Sequence, residues 1–287
     1  MGRISTSIEI MKASLAVVRK DRSLIWLPVL SFLASAATMG IFIGGIFLTV
    51  DWTHTPMTDG SSTQAQMTPL GYVLTVLMYL ALAFITIFFN AALISGARER
   101  LQGGDPTLES ALAGATSRLG LILQWSLVSA TVSMILRAVQ KQGGLLGRVV
   151  AGIAGIAWSL VTFLVLPVVV IEGLGVRAAL GRAKDLFVRT WGEQVVGNVA
   201  LGLVAFLAIL PGIALAAAGV LIASTSVAIT VAFVALAVVW IGGVLAITAA
   251  TNGVFQTALY LYAANGAPPA GFDGPDLSHA FTPKAVR

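Results

Sequence analysis

The sequence predicts an all-α polytopic membrane protein with six transmembrane helices and amphipathic helices on its cytoplasmic surface. The chain is 57% hydrophobic and only 10% charged, whereas soluble domains carry roughly 25% charged residues. Several stretches long enough to span a bilayer contain no charged residue, and lysine and arginine gather in the segments between them. A soluble protein with a large core would instead alternate polar and apolar faces along each element.

The N-terminal segment 3–20 is predicted to be a helix that lies in the headgroup layer. One apolar face at helical spacing contains Ile4, Ile8, Met11, Leu15 and Val18. The charge comes from Arg3, Lys12, Arg19, Lys20 and Arg22. This combination is typical of interfacial helices. The alternative is a soluble tail whose cations only follow the usual bias of lysine and arginine towards the cytoplasmic side.

Six apolar segments are predicted to cross the membrane, at 24–50, 69–95, 119–136, 149–171, 195–223 and 227–250. The third is the shortest, and it lies between Arg118 and Arg137. If it failed to span, the basic segment with Arg177 and Arg189 would move outside, against the positive-inside bias. Six crossings therefore place both termini in the cytoplasm and the protein in the inner, cytoplasmic membrane. Residues 1–265 then form a single transmembrane domain, and 266–287 form a cytoplasmic tail.

Two further surface helices are predicted at about 105–117 and 176–190. Each of the three surface helices precedes a pair of apolar segments. The second and third share the pattern Ala-Leu-x-x-Ala, at 111–115 and 179–183. We therefore expect three repeated units, each a surface helix followed by a transmembrane hairpin. Chance matches in an Ala- and Leu-rich chain are the alternative.

The chain lacks the residue patterns of an enzyme, a metal site or a disulfide-bonded protein. It contains no cysteine, and its two histidines, His54 and His279, lie far apart in loops. It has no H-E-x-x-H, G-x-S-x-G or P-loop motif. We therefore predict a non-enzymatic protein without catalytic residues, metal or cofactor. Its net charge of +5 is attributed to the cytoplasmic side of a membrane protein, and no nucleic-acid partner is expected.

Two sets of polar residues are candidates for function. Cations expected to bind anionic lipid headgroups are Arg19, Lys20, Arg22, Arg177, Arg182, Lys184 and Arg189. Polar residues near the inner ends of spans, with an expected structural role, are Asn90, Glu172, Asn198 and Asn252. For Glu172 we expect an ion pair or a cap at the start of the third surface helix. A gate or a headgroup contact is the functional alternative.

Two functions stay open on the sequence. In the first, the protein organises or senses the cytoplasmic leaflet or serves as a subunit of a membrane complex, with anionic lipids, further copies of itself or another membrane protein as partners. In the second, it transports a lipid or small solute through a cavity among segments two, four, five and six. Coupled transporters usually carry a charged residue at the midplane, and the predicted spans contain none.

One stretch resembles a known group of membrane proteins. It has Pro167 near the end of a span, then Glu172 and Gly173, and then Ala179, Leu180, Ala183, Leu186 and Trp191. This spacing is similar to that of uncharacterised six-helix membrane proteins, which include the membrane domain of some glycerophosphoryl diester phosphodiesterases. Residues 17–31 and 255–273 more closely resemble a bacterial and archaeal membrane family known only as a domain of unknown function. The resemblance implies a six-helix fold and indicates almost nothing about activity. Ala183 stands where the pattern often has Ser, and without an attached phosphodiesterase domain that activity is not carried over.

Overall fold

The computed structural model describes residues 3–51, 66–191, 199–221 and 226–272. Within these ranges the chain forms ten helices and one short pair of strands, so the prediction of a helical protein is confirmed. The helices are α1 (Arg3–Lys20), α2 (Ser23–Leu48), α3 (Pro69–Leu101), α4 (Leu108–Thr116), α5 (Leu119–Gln142), α6 (Gly144–Phe163), α7 (Val165–Glu172), α8 (Val176–Trp191), α9 (Val199–Leu221) and α10 (Val227–Asn265). Strands β1 (Val50–Asp51) and β2 (Gln66–Met67) pair antiparallel between α2 and α3.

Four of the described helices, α2, α3, α5 and α10, are long enough and apolar enough to cross a membrane, judged by length and composition alone. Helices of this kind are typical of membrane-embedded proteins. The shortest predicted span, 119–136, is among them, since it forms most of the 24-residue helix α5. The prediction of six such helices is wrong, because the described residues contain four.

The predicted fourth span, 149–171, is interrupted at Leu164, between α6 and α7. Pro167 explains the break, because proline has no N–H to donate to the carbonyl four residues earlier, at Phe163. The Gln256 side chain on α10 donates a hydrogen bond to that carbonyl instead. The predicted fifth span, 195–223, begins outside the described residues, and its apolar stretch Ala205–Leu221 falls in the shorter class of 10–17 residues.

Helices α3 and α10 continue beyond their predicted ends at 95 and 250. Helix α3 has 33 residues and α10 has 39. Glycines with positive φ lie where each ends, Gly103 (φ 90°) after α3 and Gly266 (φ 71°) after α10. Glycine adopts this left-handed conformation without the strain that a side chain brings. The additional turns carry polar side chains that the prediction placed in connecting segments.

The buried core lies at one end of the bundle, which we call the base. The base consists of α1, α4, α7 and α8, the first turns of α2 and α5, and the C-terminal parts of α3 and α10. At the opposite ends of α2, α3, α9 and α10, large apolar side chains are exposed, among them Ile41, Phe47, Leu70, Val73, Val220 and Val227. An apolar surface of this extent is typical of contact with lipid or with another protein.

Three pairs of neighbouring helices pack against each other: α2 with α3, α5 with α6, and α9 with α10. A shorter helix, α1, α4 or α8, precedes each pair in the chain. The predicted repeat has this same order of elements, and the structural similarity of the three units stays a prediction. After α10 the chain turns back, and Phe272 is fully buried in the core.

Candidate functional site

A polar cluster lies at the base, where α7 meets α8. Glu172 is the last residue of α7, and Gly173 follows with a φ of 69° and ends the helix. The Nε atom of Arg182, on α8, lies 3.1 Å from Oε1 of Glu172. The hydroxyl of Tyr260, on α10, donates a 2.8 Å hydrogen bond to the same oxygen. One carboxylate therefore ties together three helices.

Two further arginines lie near residues beside this carboxylate, Arg118 near Gly173 and Arg98 near Tyr260. Arg118 is the N-cap of α5, and its guanidinium lies so close to Gly173 that a β-carbon built there would be 2.7 Å from Arg118 Cζ. Arg98, in the last turn of α3, lies within electrostatic range of the Tyr260 hydroxyl. Within the described ranges, its buried Nε atom has no hydrogen-bond partner. We call Arg98, Arg118, Glu172, Arg182 and Tyr260 the Glu172 cluster.

The local sequence explains why these side chains meet. Residues 165–170 of α7 are all buried, so the short helix inserts into the core and brings Glu172 to its edge. Ala179 and Ala183 are fully buried on α8. Small side chains at these two positions allow helix backbones to approach closely. Helices α7 and α8 each pack against α5 and α10, which bring Arg118 and Tyr260 to the same place.

A second group of charges joins the link between α1 and α2 to the turn after α3. Arg100 Nε lies 2.7 Å from the buried Asp21 carboxylate, and an Arg100 Nη atom lies 3.6 Å from the exposed Asp105. Burial raises the pKa of Asp21 above its usual value, and the nearby Arg100 opposes that rise. Glu99 accepts a 2.8 Å hydrogen bond from Ser110 on α4. These contacts fix α3 relative to α1 and α4.

The structure separates the predicted headgroup cations into two groups. Arg182 is partly buried and belongs to the Glu172 cluster. The others are exposed, and they are Arg19, Lys20, Arg22, Arg177, Lys184 and Arg189. The exposed cations lie on α1, on α8 and just before α2. The residues of these three helices that face the core all belong to the base.

Two of the predicted structural amides, Asn90 and Asn252, do not join the Glu172 cluster. Asn90 on α3 and Asn252 on α10 line a mainly apolar cavity of about 670 Å³ between α2, α3 and α10. Within the described ranges, no hydrogen bond joins these two side chains. Asn198 lies outside the described residues. The cavity therefore lies among the first, second and sixth predicted segments. The sequence analysis named the second and sixth correctly, but it named the fourth and fifth in place of the first.

Three members of the cluster were missed as site residues. Arg98 and Arg118 were treated only as charges in a connecting segment or at the limit of a span, and Tyr260 as an interfacial aromatic residue. The position of these three residues could have identified them, because six crossings place them, like Glu172, at the inner ends of predicted spans.

In the part of the chain that the structure describes, no three His, Asp or Glu side chains lie together where they could hold a metal ion.

Comparison with known proteins finds one related family. The model of a family of unknown function, DUF6159, matches residues 69–272, which include every residue of the Glu172 cluster. No curated protein and no solved structure matches the chain. The predicted membership in an uncharacterised family is thus confirmed, while the resemblance to phosphodiesterase membrane domains stays a prediction. With its match over most of its length, the chain belongs to DUF6159, a family of unknown function.

Proposed function

We propose that this protein is a non-enzymatic membrane protein whose base binds the headgroups of anionic lipids in the cytoplasmic leaflet. The observation that carries this proposal is the exposure of the cations at the base, on two helices that share one buried core. Cations near a membrane surface attract anionic lipid at about 1 kcal/mol each. Through this contact the protein would organise or sense that leaflet, alone, as a homo-oligomer or with another membrane protein.

The two basic helices hold their cations on a rigid surface. Helix α1 buries Val17 and Val18 in the core and exposes Arg19 and Lys20. Helix α8 likewise buries Ala179, Ala183, Leu186 and Phe187, and exposes Arg177, Lys184 and Arg189. The apolar faces of both helices therefore contact protein, whereas α1 was predicted to lie in the headgroup layer. A helix already held by a packed core loses less conformational entropy when headgroups bind than a helix that must first become ordered on the membrane.

An exposed aromatic residue supports the position of the base at the membrane surface. Trp26, in the first turn of α2, is 59% exposed. Tryptophan is enriched where hydrocarbon meets headgroups. The exposed Arg22 lies one turn before it, so the aromatic and charged side chains follow the order expected from hydrocarbon to water.

We expect the double variant Lys184→Gln/Arg189→Gln to retain about tenfold less phosphatidylglycerol than the unchanged protein, because two attractive charges are removed. Native mass spectrometry of the full chain, released from nanodiscs of phosphatidylglycerol and phosphatidylcholine, measures the retained lipid and the oligomeric state. The matched control is Lys141→Gln/Arg148→Gln, which removes two exposed cations at the far ends of α5 and α6. Equal lipid retention in all three proteins, or equal losses in both variants, would contradict the proposal.

The base is proposed to face the cytoplasm, because lysine and arginine gather on that side of membrane proteins. The chain has no cysteine, so a single introduced cysteine is the only thiol that a reagent can label. In intact cells, we expect an impermeant maleimide to leave Lys184→Cys unlabelled and to label it after the membrane is permeabilised. Labelling of Lys184→Cys from outside would show that the base faces the outside of the cell and would contradict the proposed orientation.

Transport of a lipid or small solute is the second candidate, and the cavity lined by Asn90 and Asn252 favours it. Its volume of about 670 Å³ lies in the range of small-molecule pockets. A transporter would produce lipid or solute flux in proteoliposomes, and Gly243→Trp in the cavity wall would reduce that flux. A headgroup-binding protein without transport would show no flux that depends on this change.

A further inference from the structure

We propose that the Glu172 cluster binds a phosphate group through the guanidinium groups of Arg98 and Arg118. This site deepens the proposed function, since it names the group on the ligand that the base recognises. It rests on the proposed function for a lipid headgroup as the source of the phosphate, but its binding chemistry is independent of the exposed cations. A free phosphate would use the same contacts.

The Glu172 cluster contains more positive than negative charge. The carboxylate of Glu172 is paired with Arg182 and accepts the Tyr260 hydroxyl. Arg98 and Arg118 have no ion-pair partner within the described ranges. The buried Nε of Arg98 also lacks an acceptor among those residues. A buried charged donor without an acceptor is unfavourable, and an anion would supply that acceptor.

The excess positive charge of the cluster matches the negative charge of a phosphate monoester. Three guanidinium groups and one carboxylate leave two positive charges without a counter-charge. A phosphate monoester carries about −1.5 to −2 charges near neutral pH, whereas a carboxylate carries only one. The planar guanidinium group also donates two parallel hydrogen bonds to phosphate oxygens. The class of ligand expected is therefore a phosphate monoester, with a diester as a weaker ligand.

The backbone near Arg118 adds to the same preference. Arg118 is the N-cap of α5 and makes no capping hydrogen bond with its side chain. The first N–H groups of a helix lack partners inside the helix and favour an anion. Gly173 has no side chain, which leaves the space that the Arg118 guanidinium occupies. The Arg118 guanidinium and the start of the 24-residue helix α5 are therefore adjacent.

The test measures phosphate binding to the full chain purified in a mild detergent, with two probes: inorganic phosphate, by ³¹P NMR or calorimetry, and phosphatidic acid, by native mass spectrometry. We expect Arg98→Gln and Arg118→Gln each to weaken binding about tenfold or more. The matched control is Lys141→Gln, an exposed cation at the far end of α5, outside both the cluster and the base. The affinity of this variant for the probes should change less than about threefold.

The two probes distinguish the sources of the phosphate. If both bind and both are weakened by the arginine changes, the site accepts free phosphate as well as the headgroup. If only phosphatidic acid is affected, the ligand is a lipid. If neither probe responds to Arg98→Gln or Arg118→Gln, or if Lys141→Gln weakens binding equally, the site is wrong.

A second variant keeps the test decisive if Arg98→Gln does not fold. Arg118 is exposed, so Arg118→Gln should fold, which circular dichroism checks. Gly173→Ala retains every arginine but adds a β-carbon 2.7 Å from Arg118 Cζ, and it should weaken phosphate binding as well. Failure of the proposed function can be told apart from failure of this phosphate site, because Lys184→Gln/Arg189→Gln tests the exposed cations and leaves the cluster unchanged.

Discussion

Replacement of Glu172 by alanine is expected to lower the free energy of unfolding by about 2 kcal/mol. The change removes the ion pair with Arg182 and the acceptor for the Tyr260 hydroxyl. It also removes the one carboxylate of the Glu172 cluster and leaves its three guanidinium groups. Breaking a fully buried pair costs about 3–5 kcal/mol, and we expect less here because the Glu172 side chain is 23% exposed.

Chemical unfolding in a mild detergent, followed by circular dichroism, measures this effect. Tyr260→Phe is the matched variant, since it removes one hydroxyl donor and leaves the ion pair, and it should cost about 1 kcal/mol. Glu172→Gln keeps an acceptor for Tyr260 but loses the charge, so its stability should lie between the two. A Glu172→Ala protein as stable as the unchanged one would mean that the cluster contributes nothing to the fold.

Replacement of Gly253 by valine is expected to cost about 3 kcal/mol of stability, because it separates α3 from α10 at the base. A β-carbon at Gly253 would overlap the side chain of Leu93 on α3. Leu93 is only 2% exposed and lies within the core, so it has little room to move aside. Overpacking of this kind forces strained side chains or shifts of the backbone.

Gly242→Val is the matched control on the same helix. No atom lies within 4 Å of a β-carbon built at Gly242, so the same substitution should change stability by less than about 1 kcal/mol. Both proteins are compared by chemical unfolding in one detergent. The close approach of α3 and α10 would have to be abandoned if Gly253→Val and Gly242→Val unfolded at the same denaturant concentration.

The same contact between α3 and α10 supports both candidate ligand sites. On one side of it, Asn90 and Asn252 line the cavity. At the base, Arg98 and Tyr260 lie farther along the same two helices. A change that separates these helices should therefore weaken phosphate binding as well as stability, whereas Lys141→Gln should change neither. This difference separates damage to the fold from loss of a surface charge.

Much of the helical organisation could be predicted from the pattern of residues. The apolar spacing of the first segment predicted a helix at 3–20, the bounds of α1. The uncharged stretch between Arg118 and Arg137 predicted a spanning segment that lies within α5. These predictions succeed because hydrophobic spacing and uncharged length act locally and need no knowledge of neighbouring helices.

The break at Leu164 required the tertiary structure. Pro167 was visible in the sequence, but proline is tolerated in membrane helices when another group satisfies the freed carbonyl. Here that group is the side chain of Gln256, far along the chain on α10. Whether a proline bends, ends or divides a helix therefore depends on a contact that spacing alone does not reveal.

By itself, the sequence determined that the chain is helical and rich in apolar helices, that cations gather between those helices, and that Glu172 is a conspicuous carboxylate at the end of one. Only the tertiary structure decided how many helices are long and apolar enough to span, and which cations Glu172 meets. Arg98, Arg182 and Tyr260 lie on three different helices, and Arg118 is the N-cap of a fourth. They form one cluster because those helices pack around a common core at the base, and packing between distant segments is not encoded in local spacing.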